Sequence, residues 1–385
     1  MKILFVLQFS WGDSLGVSKV HYDLKLEYER LGHQVDVLCL DHVKKLIREN
    51  PTGKLYPRVP SLLHQHLKKV AKKYDVIDAN YQCVPYSKRS FDFNGLLVFR
   101  SHGLPPLYRE SERNKKYQNM LKRKHQKPVR LKTRLGGILR MAERFMNKRD
   151  LDRSIKCADL VHCLNTSEHA YLREIEIPER KIVHLPNGIP DSFFESAART
   201  NCNVQLGSIL YLASWTVRKG IYDLDSILEG IAQKASLSCL NVVGSHADQG
   251  EVLDSLSPRW HSLTRVVPDF NNKELPDLVR TCHVGVFPSY IEGFGLAVLE
   301  QLACGIPVIA YDVPGPRDIL LGVDKKLLAP VGDAESLAER VAEIMNMPSC
   351  DYAELSAQCR ARAEEYRVSV VANKFLDIYG SHVSP

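Results

Sequence analysis

Two carboxylates with seven residues between them, Glu292 and Glu300 in EGFGLAVLE, are the residues whose spacing most clearly suggests chemistry. Gly293 and Gly295 follow the first acid. Glycines let a backbone come close to a ligand, and a helix opening there would present N–H groups to an anion. Two acids at such a place do not favour phosphate directly, so the expectation is that they hold hydroxyl groups beside it. A carboxylate accepting two vicinal O–H bonds is a charge-assisted and geometrically selective clamp. A diphosphate flanked by hydroxyls describes a nucleotide-sugar.

Four further stretches carry candidate groups. Arg218 and Lys219 precede Gly220 where a strand should pass into a helix, a place for neutralising phosphate. The run Phe99-Arg-Ser-His102-Gly103 puts a histidine at a strand end. The loop from Trp11 to Ser18 carries Gly16 ahead of a helix and could offer amides to a phosphate or an acceptor. Asn165-Thr-Ser167 reads as a helix start, with Ser167 as the capping side chain.

Elements must hold these groups in place. Strand 283–287, the loop, a helix with an apolar stripe at Leu296, Leu299 and Ala303, and strand 307–311 make one βαβ unit. Its loop then lies at the carboxyl edge of a parallel sheet, where open α/β sheets bind ligands. Residues 2–9 read as a first strand. A helix with Val17, Val20, Leu24, Tyr28 and Leu31 on one face follows, stopped by Gly32, and 34–40 is the next strand. Later strands are expected at 76–79, 96–101, 160–163 and 182–185, and helices at 61–73, 168–175 and within 113–157. A second alternation has strands at 209–213, 239–243, 265–267, 284–287 and 308–311, with helices near 221–235, 248–256, 273–281 and 295–304. Beyond 333 the chain reads as helix almost to its end.

With 385 residues the chain is too long for one core, so two α/β domains are expected. Strand–helix alternation predicts parallel, doubly wound sheets. Leu185-Pro-Asn-Gly-Ile-Pro190 marks the boundary. No apolar run approaches the roughly 18 residues of a membrane helix. The apolar N-terminus lacks a small-residue cleavage site and is read as a core strand, not a leader. Ten scattered cysteines without a CxxC pair read as free thiols of a reducing compartment, hence a cytoplasmic protein.

Together these residues resemble the family-4, retaining nucleotide-sugar glycosyltransferases of the GT-B fold. The resemblance rests on EGFGLAVLE, the preceding FPS, the following ACGIPVIA, VPGP and Lys219-Gly220. It implies two Rossmann-like doubly wound parallel-sheet domains facing a central cleft. Residues 1–188 would form the acceptor-binding domain, 189–362 the nucleotide-sugar domain, and 363–385 a helix crossing back to the first. It implies catalytic roles for His102, Glu292 and Lys219. Glu292 would meet the donor sugar's hydroxyls and Glu300 the ribose, while Gly293, Phe294, Gly295 and Leu296 line the diphosphate. His102 would position the transferred sugar, and Gly16 would lie on the donor side. Lys219 with Arg218 would neutralise the leaving diphosphate, so neither a metal nor another cofactor is expected. The sequence departs from the family where Ser214 replaces an arginine, where Gly16 stands without a second glycine, and where Pro316 interrupts the run from Gly315 to Asp318. Alternatives are another GT-B enzyme, an epimerase or a phosphorylase, and a non-catalytic nucleotide-sugar-binding protein.

The net charge of +7 is uneven. Residues 113–149 hold fourteen Lys or Arg against one acid, Glu143, and the rest of the chain is net acidic. No aromatic ladder or RNA motif accompanies them, so nucleic acid is not an expected partner. Leu131, Leu135, Ile138, Leu139, Ala142 and Phe145 recur at helical spacing among the cations, as in an interfacial helix, although Gly136-Gly137 interrupts it. Two readings stand: an anionic membrane surface, giving a peripheral protein on the inner face that works on a glycan or lipid-linked acceptor, or a solvated face of the domain itself.

Overall fold

The computed structural model describes residues 1–12, 16–49, 59–111, 117–119, 147–195 and 204–383. The helix expected over 130–145, and with it most of the basic stretch 113–149, lies outside the described residues. The chain divides into two compact units. One comprises Met1–Leu104, Pro128–Gly188 and Val368–Pro385, and the other Pro105–Lys127 and Ile189–Arg367.

The first unit is built on six parallel strands: β1 (Lys2–Val6), β2 (Gln34–Leu38), β3 (Val76–Asn80), β4 (Leu96–Arg100), β5 (Leu160–Cys163) and β6 (Ile182–His184), in the order β2-β1-β3-β4-β5-β6. Strands β3, β4 and β5 are buried at every residue, as expected where helices cover both faces of a parallel sheet. Helix Gly16–Arg30 connects β1 to β2 and ends at Gly32 (φ 84°). The His33 N–H donates to the Tyr28 carbonyl and the Gly32 N–H to that of Glu29, both at 3.0 Å, the paired bonds of a Schellman stop.

A buried ionic cluster holds this unit's last helix, Val368–His382, to its sheet. Asp78 on β3 and Arg100 on β4 are both 0 % exposed. Arg100 Nε donates to both Asp78 carboxylate oxygens at 2.9 Å. Tyr379 Oη donates to Asp78 at 2.7 Å and accepts from Arg100 at 3.0 Å. The guanidinium carbon also lies 4.2 Å from the Phe375 ring centroid. Removing two charges from water is costly, and pairing with added hydrogen bonds offsets it, although Arg100 Nη1 is left without a hydrogen-bond partner.

The second unit repeats the plan with β7 (Ser208–Leu212), β8 (Cys239–Val243), β9 (Thr264–Val267), β10 (Val284–Phe287), β11 (Val308–Tyr311) and β12 (Leu328–Ala329). The order is β12-β11-β10-β7-β8-β9, all parallel. Chain order therefore reverses between β7 and β10, which lie side by side with Ile209 opposite Val284.

One expectation is corrected, and two elements go beyond those expected. Asn165, not Ser167, caps helix Thr166–Glu174: its side chain accepts from the Glu168 N–H at 2.9 Å. The C-terminal stretch is helical almost to its end, as expected, in three helices, Ala334–Met345, Ser349–Glu364 and Val368–His382, the first of which ends before Pro348. Helix Leu40–Glu49 and strand β12 were not expected from sequence: the helix was missed although Leu40, Val43 and Ile47 stand at helical spacing, and the strand is only two residues long.

Candidate functional site

Two loops leave the carboxyl ends of β7 and β10, the neighbouring strands at which the second sheet reverses direction. Such a switch point is where doubly wound sheets open a crevice for ligands. The first loop ends at Arg218-Lys219-Gly220 and the second carries Tyr290 to Gly295. They are tied together by one backbone–backbone hydrogen bond and one from a side chain to a backbone carbonyl. The Tyr290 N–H donates to the Arg218 carbonyl at 2.9 Å, and Arg218 Nη1 donates to the Ile291 carbonyl at 3.1 Å.

Gly220 makes this closeness possible. Its φ is 78°, and a β-carbon there would lie 2.0 Å from the Pro288 carbonyl oxygen. Both the left-handed backbone and the contact exclude a side chain. Gly315 plays a similar part on the other flank, where a β-carbon would lie 2.4 Å from the Phe294 carbonyl oxygen.

Between these loops Lys219 Nζ donates directly to Glu292 Oε2. The two side chains are only 12 % and 15 % exposed, and the ammonium lies 4.9 Å from the Phe287 ring centroid. Burial alone would raise the Glu292 carboxyl, but Lys219 and Arg218 outweigh it and hold its pKa below the ordinary value of 4.5. Burial also pulls the Lys219 ammonium down, helped by Arg218 and opposed by Glu292. The surroundings thus favour an ionised Glu292 at neutral pH. The arrangement offers a carboxylate acceptor and two cations on adjoining loops.

Helix Leu296–Ala303 continues from the second loop with Gly295 at its N-cap and no capping side chain. Phe294 packs against Tyr366, with ring centroids 6.2 Å apart. Glu300 lies on this helix and is 7 % exposed. Arg218, Lys219, Glu292, Gly293, Phe294, Gly295, Leu296 and Glu300 thus belong to adjoining loops and one helix of the second unit.

Two expected residues belong to the first unit. Gly16 begins helix Gly16–Arg30, is exposed, and has open space where a side chain would go. His102 follows β4. Burial, then the charges of His21, Arg100 and His162, hold its pKa well below 6.5, so the ring is neutral. The His21 ring lies 4.9 Å away. Glu168 braces the His102 turn. Its Oε1 accepts from Ser101 Oγ at 3.0 Å and the Leu104 N–H at 2.7 Å, and its Oε2 from the Leu164 N–H at 2.9 Å.

Sequence reasoning missed Glu168, Asp223, Tyr290 and Tyr311. Tyr290 lies two residues before Glu292, the only local sign of its importance. The others act through partners distant in sequence. Among the described residues no group of three or more His, Cys, Asp or Glu is placed to hold a metal ion, and no helix is long and apolar enough to cross a membrane.

Two doubly wound parallel sheets, the second with a cation–carboxylate site at its switch point, define the GT-B class of glycosyltransferase folds. Residues 15–193 match the model for Glycosyltransferase Family 4 and residues 219–366 that for Glycosyl transferases group 1. The chain belongs to the family-4 glycosyltransferases of the GT-B fold. It is 26 % identical over 192 residues to glycogen synthase of Mycobacterium tuberculosis, covering 49 % of this chain and 44 % of that one. The match thus spans less than half the length of this curated relative. Among solved structures, sucrose-phosphate synthase of Thermosynechococcus elongatus aligns with a TM-score of 0.70 at 20 % identity over 99 % of both chains. HepE of Anabaena, solved in complex with UDP-glucose, aligns with a TM-score of 0.69 at 16 % identity over 99 % of this chain and 100 % of its own. At these identities the two structures speak for the fold.

Proposed function

We propose that the chain transfers a sugar from a nucleoside-diphosphate sugar to a hydroxyl acceptor, with retention at the anomeric carbon. The observation that carries this reading is the direct Lys219–Glu292 pair at the switch point of the second sheet. HepE, solved with UDP-glucose, supports a nucleotide-sugar donor, and the glycogen synthase relative supports a glycan as acceptor.

The bond from the anomeric carbon to the phosphate oxygen breaks, and its electron pair leaves with the diphosphate. Lys219 and Arg218 stabilise the charge that grows there, the main electrostatic task of such a step. The same two cations make an obligatory metal unnecessary in this reading. Glu292 accepts from hydroxyls of the donor sugar, Glu300 from the ribose, and the backbone from Gly293 to Leu296 lines the diphosphate. The acceptor oxygen bonds the anomeric carbon on the face the diphosphate leaves, and its proton passes to the departing phosphate oxygen. His102, held neutral, serves as a hydrogen-bonding group for the sugar and not as an acid.

The concentration of fourteen cations in 113–149 supports an anionic surface, with a glycan or lipid-linked glycan as acceptor. Deleting that stretch should abolish co-sedimentation with anionic vesicles at low salt, and unchanged binding would reject this part.

The donor reading is tested by thermal stabilisation with UDP-, GDP- and ADP-sugars, since a ligand of the folded state raises melting by mass action. Turnover of the stabilising donor should survive EDTA and should be lost in Lys219→Ala and Glu292→Gln. Full activity in both variants would remove the reading.

A further inference from the structure

Asp223 stands at the N-cap position of helix Leu224–Lys234, yet its side chain makes no capping hydrogen bond. Its Oδ2 instead accepts from two phenols, Tyr290 Oη and Tyr311 Oη, each at 2.6 Å. Exposure is 2 % for Asp223, 1 % for Tyr290 and 0 % for Tyr311. Burial, reinforced by Asp223, pushes both phenol pKa values far above their ordinary value, so each keeps its proton and donates.

The three residues come from three elements. Asp223 follows Gly220 by three residues, Tyr290 precedes Glu292 by two, and Tyr311 ends β11. Tyr290 is held on several sides. Its N–H is bonded to the Arg218 carbonyl, the Tyr117 ring stacks at 5.6 Å and 28°, and the Tyr311 ring meets it edge-on at 5.5 Å. Its hydroxyl is tied to the segment that begins at Lys219. Fixing Tyr290 therefore fixes where Glu292 can lie relative to Lys219.

We infer that Asp223 is a positioning residue for the Lys219–Glu292 pair, acting through the hydroxyl of Tyr290. This rests on reading that pair as the donor site. Displacements of about 1 Å at a reacting constellation are enough to cost on the order of a hundredfold in rate. A buried carboxylate shared by two loops is one means of preventing them.

Two hydrogen bonds of equal length to one oxygen provide an internal control. Tyr290→Phe and Tyr311→Phe each delete one hydroxyl from Asp223, but only Tyr290 is on the loop that carries Glu292. A purely structural network predicts that both variants change melting and donor binding alike. The inference predicts similar melting losses but different binding. With UDP-glucose, GDP-mannose and ADP-glucose as probes, the dissociation constant of whichever one the wild type binds should rise about tenfold or more in Tyr290→Phe. It should stay within about twofold in Tyr311→Phe. Asp223→Asn should follow Tyr290→Phe. Equal binding by the two phenylalanine variants would overturn the inference. If the wild type binds none of the probes, or Lys219→Ala and Glu292→Gln bind as the wild type does, the donor reading itself fails, and the inference with it.

Discussion

Lys219 and Glu292 are 73 positions apart in the chain, yet their side chains form a direct ion pair. The cause is strand order: β7 and β10 are neighbours, so the loops that follow them share one edge. The cation and the acid satisfy each other. In the proposed function they part, the cation going to the diphosphate and the acid to sugar hydroxyls, while each stays charge-assisted.

Removing either partner should therefore affect catalysis more than folding. Lys219→Ala and Glu292→Gln are each expected to lower kcat/KM by about 10²- to 10³-fold, the range seen when one transition-state donor is deleted. The double variant should lose less than the product of the two effects, because groups in contact are not additive. Steady-state kinetics on the stabilising donor reads both.

Glu292 gives an acid limb. Its pKa in the folded protein lies below 4.5, so the folded state binds fewer protons than the unfolded state as pH falls. Its contribution to stability is complete above about pH 4.5 and is lost as pH drops through the lowered value. Melting temperature measured from pH 3 to 7 should fall on the acid side, and Glu292→Gln should flatten that part of the curve.

Glu168 has the opposite sign. Burial raises its pKa from 4.5 to about 7, although three donors pull it down. The folded state holds its proton longer, so this group's contribution worsens as pH rises from about 4.5 to 7 and is constant above. The cost at high pH is on the order of 3 kcal/mol. Glu168→Gln keeps one acceptor oxygen but sets an NH₂ group against the Leu164 N–H. It should destabilise by about 1–3 kcal/mol at pH 5 and by clearly less at pH 8, as read by urea denaturation at the two values.

The last helix should be indispensable to the first unit. Ending the chain after Arg367 removes Tyr379 and Phe375 from the fully buried Asp78–Arg100 pair. Breaking such a cluster costs about 3–5 kcal/mol, a large share of a domain's stability. Thermal unfolding should show an early transition absent from the full chain. Arg100→Ala, which leaves Asp78 unpaired, should reproduce it.

Much of the site was legible because its signals are local. Glycines beside acids, a Lys-Gly step after an apolar run, and the alternation of strand and helix all lie within short windows. The helix stop at Gly32 was readable for the same reason. The cap at Asn165 was misread by two positions because several residues there can cap, and backbone conformation chooses among them. Asp223 was hidden because it fell inside the helix expected near 221–235, where nothing local marks one acid among others.

Sequence alone determined the two α/β alternations, the glycine-bearing loops and the chemical types brought to them, because hydrophobic period and turn residues act over a few positions. Tertiary structure decided the rest: that the reversal of strand order falls between β7 and β10, that Lys219 meets Glu292, that Asp223 takes both phenols, and that Tyr379 completes the cluster of Asp78 and Arg100. These partners lie up to 301 positions apart. Which distant residues meet depends on the order in which strands pack, and nothing in the local pattern of the chain encodes that order directly.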